Sequence, residues 1–111
     1  MTLQEQLQAW AAWRQASRPP SIQRWIADDN RHDATPPLKV AALVFAFRDL
    51  RQGDRNTQSA VEAVEVHYLF TDRPPALRQA ALGIGWSTYW ARIQWGRSII
   101  GAYFIGTECF E

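Results

Sequence analysis

DRPPALRQAALGIGWSTYWARIQWGRSIIGAYF, residues 72–104, is punctuated as two helices joined by a tight turn. Pro74-Pro75 stop what precedes and open a short helix, because proline fits only the first helical turn. Leu77, Ala80, Ala81 and Leu82 give that helix an apolar side. Gly83-Ile84-Gly85 reads as the turn: Gly83 can close the first helix in the left-handed conformation, and Gly85 is a tolerable cap for the second. Ile84 is placed to plug the angle between them. The second helix runs from Trp86 to about Tyr103. Its residues Tyr89, Ile93, Gly96 and Ile100 recur at helical spacing and are expected to face inward. Trp86, Ser87, Trp90, Ala91, Gln94 and Arg97 fall on the other side. A helix-turn-helix presents side chains to the major groove in this way. An ordinary helical hairpin has the same punctuation.

Charge bears on the choice. From Arg73 to Ile105 there are four arginines (Arg73, Arg78, Arg92 and Arg97) and no Asp or Glu, in a chain of net charge +1. Positive charge gathered on one element is the footprint expected of phosphate contact. The chain as a whole is balanced, with 12 basic and 11 acidic residues, so it is not a polycation that coats nucleic acid. At 111 residues, 47% hydrophobic, it has the size of one domain with its own core. The six tryptophans are many for this length. Their large rings favour burial or an interface.

The remaining segments also read as helices. One runs from Leu3 to about Ala16, with Thr2 and Glu5 as a capping box and Leu3, Leu7, Trp10 and Trp13 or Arg14 as its stripe. Arg18-Pro19-Pro20 ends it, and Ser21 caps a short helix from Ile22 to Ala27. Asp28 to Pro37 is polar, ends in two prolines, and reads as a mobile loop. The next helix, from Leu38 to about Gln52, is apolar around most of its circumference. Its expected inner residues are Leu38, Ala41, Ala42, Val44, Phe45, Phe47 and Leu50. After a turn at residues 53–56, a helix from Thr57 to about Phe70 turns Val61, Val64, Tyr68 and Leu69 inward. Val64, Val66 and Tyr68 alternate like a strand, but Ala60, Glu62, Ala63 and Glu65 interleave at helical spacing. The expectation is a single all-α domain over residues 1–111. It has a helical arm at 1–30, a mobile loop at 28–37 and a core at 38–105 that holds the two-helix motif at 74–104.

Other chemistry is poorly served. His32 lies among Asp28, Asp29 and Asp33, a grouping more often solvated than metal-binding. His67 reads as a packing residue. Ser87 and Thr88 have no base at a suggestive spacing. The single Cys109 lacks a basic neighbour and any disulfide partner in the chain. Gly83-x-Gly85 follows a helix rather than a strand, so it is no phosphate loop. Arg48, Arg51 and Arg55 either offer a second phosphate contact or form a solvated helix end, where cations suit the macrodipole. Neither catalysis nor a cofactor nor a metal is expected. The first residues lack the pattern of a signal peptide, and no apolar run approaches a membrane span. A cytosolic location is the expectation.

The order of pieces carries a resemblance. LQAWAAWR, then LVFAFRDLR, then VEVHYLF, then LRQAALGIGWSTYWARIQWGR resembles the phage antitermination protein Q family of lambdoid phages, over most of the chain except about residues 17–35. The layout of VHYLF followed by LGIGWSTYW is also similar to region 4 of bacterial sigma factors. The resemblance implies a small helical protein of the bacterial host's cytoplasm that binds double-stranded DNA at a late promoter and loads onto RNA polymerase, which then reads through terminators. Residues 85–94 would be the groove-facing part. Arg73, Arg78, Arg92 and Arg97 would meet phosphates, and Ser87 and Gln94 base edges, with Trp86 and Trp90 on the same surface. The sequence departs from the pattern in placing Trp86, Trp90 and Trp95 where groove readers usually carry Arg, Lys, Asn or Gln. It also lacks the cysteine-rich insert of some members. A small adaptor or inhibitor that binds a host regulatory protein through the tryptophan face is the alternative.

Overall fold

A computed structural model describes residues 2–27 and 35–107, with side chains through residue 104. The described residues form helices α1 (Leu3–Arg14), α2 (Ile22–Ala27), α3 (Leu38–Leu50), α4 (Arg55–Leu69), α5 (Pro75–Ala81) and α6 (Trp86–Thr107), with a 3-10 turn at Gln15–Ser17. No strand occurs among them. The expected loop is described only from Thr35 onward. His32 with its neighbouring aspartates, and Cys109, lie outside the described residues.

The helix starts follow local chemistry. Thr2 Oγ1 accepts from Glu5 N at 3.1 Å while Glu5 Oε1 accepts from Thr2 N at 2.8 Å, closing the expected capping box. Ser21 caps α2 through Arg24 N, and Asp54 caps α4 through Thr57 N. Backbone donors from Thr57 and Asn56 hold the Asp54 carboxyl below its usual range.

α4 is the central helix. α6 lies along it, and α1 and α3 pack against its other sides. Gly96 allows the α4–α6 approach: a Cβ there would stand 2.6 Å from both Ala60 O and Val64 Cγ2. The main core joins Leu7, Trp10 and Trp25 to Val40, Leu43, Phe47, Val64, Leu69, Ile100 and Phe104. Trp10 meets the edges of Phe47 and Trp25 at ring separations of 4.9 and 6.1 Å. The N-terminal helices are thus core rather than a detached arm. Straps reinforce this: Arg18 donates to Asp72 at 2.6 Å and to Leu69 O, Gln15 Nε2 donates to Leu69 O, and Arg73 donates to Pro20 O.

Two expected faces are corrected. On α3, Leu38 is 94% and Phe45 50% exposed, while Val40, Leu43 and Ala46 are buried with Val44 and Phe47. Both the 38/41/42/45 stripe and the 40/43/44/47 stripe are apolar, and only packing chooses between them. On α5, Leu77 is 56% exposed and Ala80 also faces out, whereas Arg78 is buried. The helix attaches through its charged residue as well as through Ala81 and Leu82 at its end, which pack against the core. Arg51 likewise turns inward. It pairs with the fully buried Glu65 at 3.3 Å and with Glu62 at 3.8 Å, so it is not a free helix-end cation.

Candidate nucleic-acid interface

The segment between α5 and α6 forms the expected turn. Leu82 and Gly83 end α5, Gly83 has φ 71°, and Tyr89 N bonds back to Gly85 O at 2.9 Å. Ile84 packs beside Ala63, Tyr89 and Ile93, which fixes the angle between the helices. Gln79 Nε2 donates to Ile84 O and ties the turn to α5.

On α6, Tyr89, Ile93, Gly96 and Ile100 are all buried, as their spacing predicts. At about 100° per residue, the direction opposite them is held by Ser87, Ala91, Gln94 and Ser98, and all four are exposed. Trp86 (51% exposed) and Trp95 (46%) stand at the two edges of that stripe. They are roughly 180° apart on the wheel and so flank the surface rather than form one row. Trp90, expected outside, is half-buried. It packs edge-on against His67 at 5.4 Å, Tyr89 at 5.2 Å and Trp86 at 5.6 Å.

The four arginines divide. Arg78 is 5% exposed. Its Nη1 donates to His67 O at 2.7 Å and to His67 Nδ1 at 2.9 Å. Arg73 lies over the Phe70 ring at 5.2 Å and is bonded to Pro20 O, so it too is committed to the fold. The expected contact of Arg78 with a DNA phosphate is therefore corrected: its head group is turned away from the α6 stripe, toward His67 of α4. Arg92 and Arg97 are half-buried on opposite sides of the outward stripe, and Arg97 bonds to the Tyr68 hydroxyl. Arg92 acts electrostatically on Glu62, whose carboxyl is raised by burial against that pull and Arg51's.

His67, expected as a packing residue, is the junction of this region. A guanidinium can only donate. Nδ1 must therefore be the bare nitrogen, and the proton sits on Nε2. The Tyr89 hydroxyl lies 3.1 Å from the same Nδ1. Burial, then Arg78 and Arg97, lower the His67 pKa to about 4. Burial raises the Tyr89 and Tyr68 hydroxyls. Sequence reading missed this cluster because its members lie on α4, α5 and α6 with no common spacing.

Beside it opens a cleft of about 490 Å³ between α1 and the α4–α5 corner, lined by Gln4, Gln8, His67, Tyr68, Thr71 and Arg78 among others. Among the described residues no group of three His, Cys, Asp or Glu could hold a metal ion, and no helix is long and apolar enough to cross a membrane. Comparison with protein-family models, with curated proteins and with solved structures gives no match.

Proposed function

We propose that the chain is a transcription regulator of the antitermination type, which binds double-stranded DNA through α5, the turn and the first half of α6, and acts with bacterial RNA polymerase. The observation that carries this reading is the outward stripe of α6. Ser87, Ala91, Gln94 and Ser98 are small or polar and exposed, in a segment from Arg73 to Ile105 without a single carboxylate. Short side chains let a helix lie deep in a groove. Ser87 and Gln94 are able to meet base edges. Arg92 and Arg97, one on each side, are the cations nearest the two phosphate backbones, and Arg97 would exchange its bond to the Tyr68 hydroxyl for one to a phosphate.

The test is binding of fluorescent duplex DNA from a random-sequence selection, with salt varied. Few free arginines imply a shallow salt dependence, a log–log slope of about −2 for two phosphates. Gln94→Ala is expected to relax sequence preference, and Arg92→Ala to weaken all duplexes alike. No selected sequence and no salt dependence would sink the proposal.

A protein partner is the second reading. It is favoured by Trp86 and Trp95, two half-exposed indoles at the edges of the same stripe. Exposed aromatic rings suit a binding hot spot because they bring area at little entropic cost. Titration with purified RNA polymerase in the absence of DNA, set beside titration with duplex DNA alone, separates the two, because the first reading requires duplex binding and the second does not. Binding that needs no DNA and is lost in Trp86→Ala supports the protein contact.

A further inference from the structure

Arg78 poses a problem that the DNA reading does not answer. It is nine-tenths buried, and among the described residues it forms no ion pair. Its Nη1 is used by two acceptors on His67, both uncharged, and its Nε is buried with no hydrogen-bond partner. A buried guanidinium without a carboxylate is costly. A hydrophobic residue or a neutral amide would attach α5 to α4 without that cost.

The surroundings sharpen the point. Arg78 lines the cleft between α1 and the α4–α5 corner, and among the described residues no Asp or Glu is found in its lining. The other lining groups are arranged as donors. The Tyr68 hydroxyl donates to Gln4 Oε1 at 2.5 Å, which occupies the acceptor of that amide and leaves its nitrogen to donate. His67 has its bare nitrogen committed to Arg78, so its remaining ring nitrogen is an N–H donor. Arg97 adds positive potential, since it acts on both His67 and Tyr68. At about 490 Å³ the cleft falls within the size range of small-molecule sites, roughly 300–1,000 Å³, and is far larger than a bare ion needs.

We propose that this cleft binds a small anionic molecule, whose phosphate or carboxylate head pairs with the Arg78 guanidinium while His67 and Gln4 supply neutral donors. The guanidinium fork suits either head group. The site is separate from the exposed stripe of α6 and does not depend on the DNA reading.

The experiment follows the Arg78 Nε–Hε signal by NMR in the full chain. Inorganic phosphate and acetate are titrated separately at matched ionic strength. The expected result is a saturable shift with at least one of them at about millimolar concentration, since a lone head group without the rest of the ligand binds weakly. Whichever probe saturates names the head group. Arg78→Gln removes the cation but also the bonds to His67, and it can fail to fold. Gln8→Glu is the informative variant, because Gln8 is exposed and the change places a carboxylate on the cleft wall. It is expected to weaken the anion about tenfold by like-charge repulsion, and Gln8→Lys to strengthen it. A linear, non-saturating shift, or equal saturation in Gln8→Glu, overturns the proposal. Duplex binding by Gln8→Glu is measured in parallel. Unchanged DNA affinity agrees with a small-ligand site. A loss matching that of phosphate would make the anion a DNA backbone phosphate and refute the assignment.

Discussion

Replacing Gly96 with alanine tests the packing that decides which side of α6 faces out. The added methyl would begin 2.6 Å from Ala60 O and 2.6 Å from Val64 Cγ2, against an ordinary contact of 3.4 Å or more. The valine can turn, but the carbonyl belongs to the backbone of α4 and is held by helix hydrogen bonds. α6 must therefore withdraw by about 0.8 Å along its main contact. Overpacking of this kind costs about 1–3 kcal/mol. Alanine returns about 1 kcal/mol of helix propensity, so the net loss is about 0–2 kcal/mol. Gly101 supplies an internal control on the same helix. Among the described residues a Cβ there would meet only Leu3 Cδ2, at 3.9 Å, so Gly101→Ala keeps the propensity gain and is expected to stabilise by about 0.5–1 kcal/mol. Urea melts of both variants give the two signs directly. A Gly96→Ala protein stabilised as much as Gly101→Ala, or a Gly101→Ala protein equally weakened, would refute the seating of α6 on α4.

Trp86→Ala is expected to leave the melting temperature nearly unchanged while weakening partner binding, whereas Trp90→Ala removes a half-buried ring packed on His67 and Tyr89 and should cost about 1–3 kcal/mol by chemical denaturation. His67 has a folded pKa of about 4 against 6.5 when unfolded, so the unfolded state takes the proton first. Its stabilising share is complete above pH 6.5 and is lost as pH falls from there to about 4, up to roughly 3 kcal/mol; a pH series of melts on the parent and His67→Gln should differ in slope only in that window. Thr2→Ala opens the capping box of α1 and is expected to cost about 1 kcal/mol, read as a lower denaturation midpoint.

The sequence carried the helices and their caps because those signals are local. Thr2 and Glu5, Ser21, Pro75 and Gly83 each act within a few residues of where they stand, whereas Asp54 read as part of a turn and α4 starts two residues before the expected Thr57. The buried face of α6 was legible too, since Tyr89, Ile93, Gly96 and Ile100 repeat on an otherwise mixed helix. The phase of α3 was not. Leu38 and Phe45 are as apolar as Val40 and Leu43, and nothing within the helix ranks one stripe over the other. α5 misled for a different reason. The usual rule sends Leu77 inward and Arg78 outward, but a seven-residue helix buries little area, and two hydrogen bonds from Arg78 to His67 decide its orientation. The Arg78, His67 and Tyr89 grouping spans 22 positions across three helices, and no single-segment pattern encodes it.

The straps from Gln15, Arg18 and Arg73 have a consequence for the birth of the chain. They join positions 51 to 54 residues apart, and Trp10 finds its Phe47 partner only when α3 exists. During synthesis α1 can coil early but has nothing to bury its indole against. Distant contacts must wait for loop closure, which slows folding. For the time it takes to translate about forty further residues, at 5–20 residues per second roughly 2–8 seconds, the nascent chain carries an apolar helix with no home. A chaperone that holds exposed aromatic segments would meet this chain at α1, well before the α6 surface has been made.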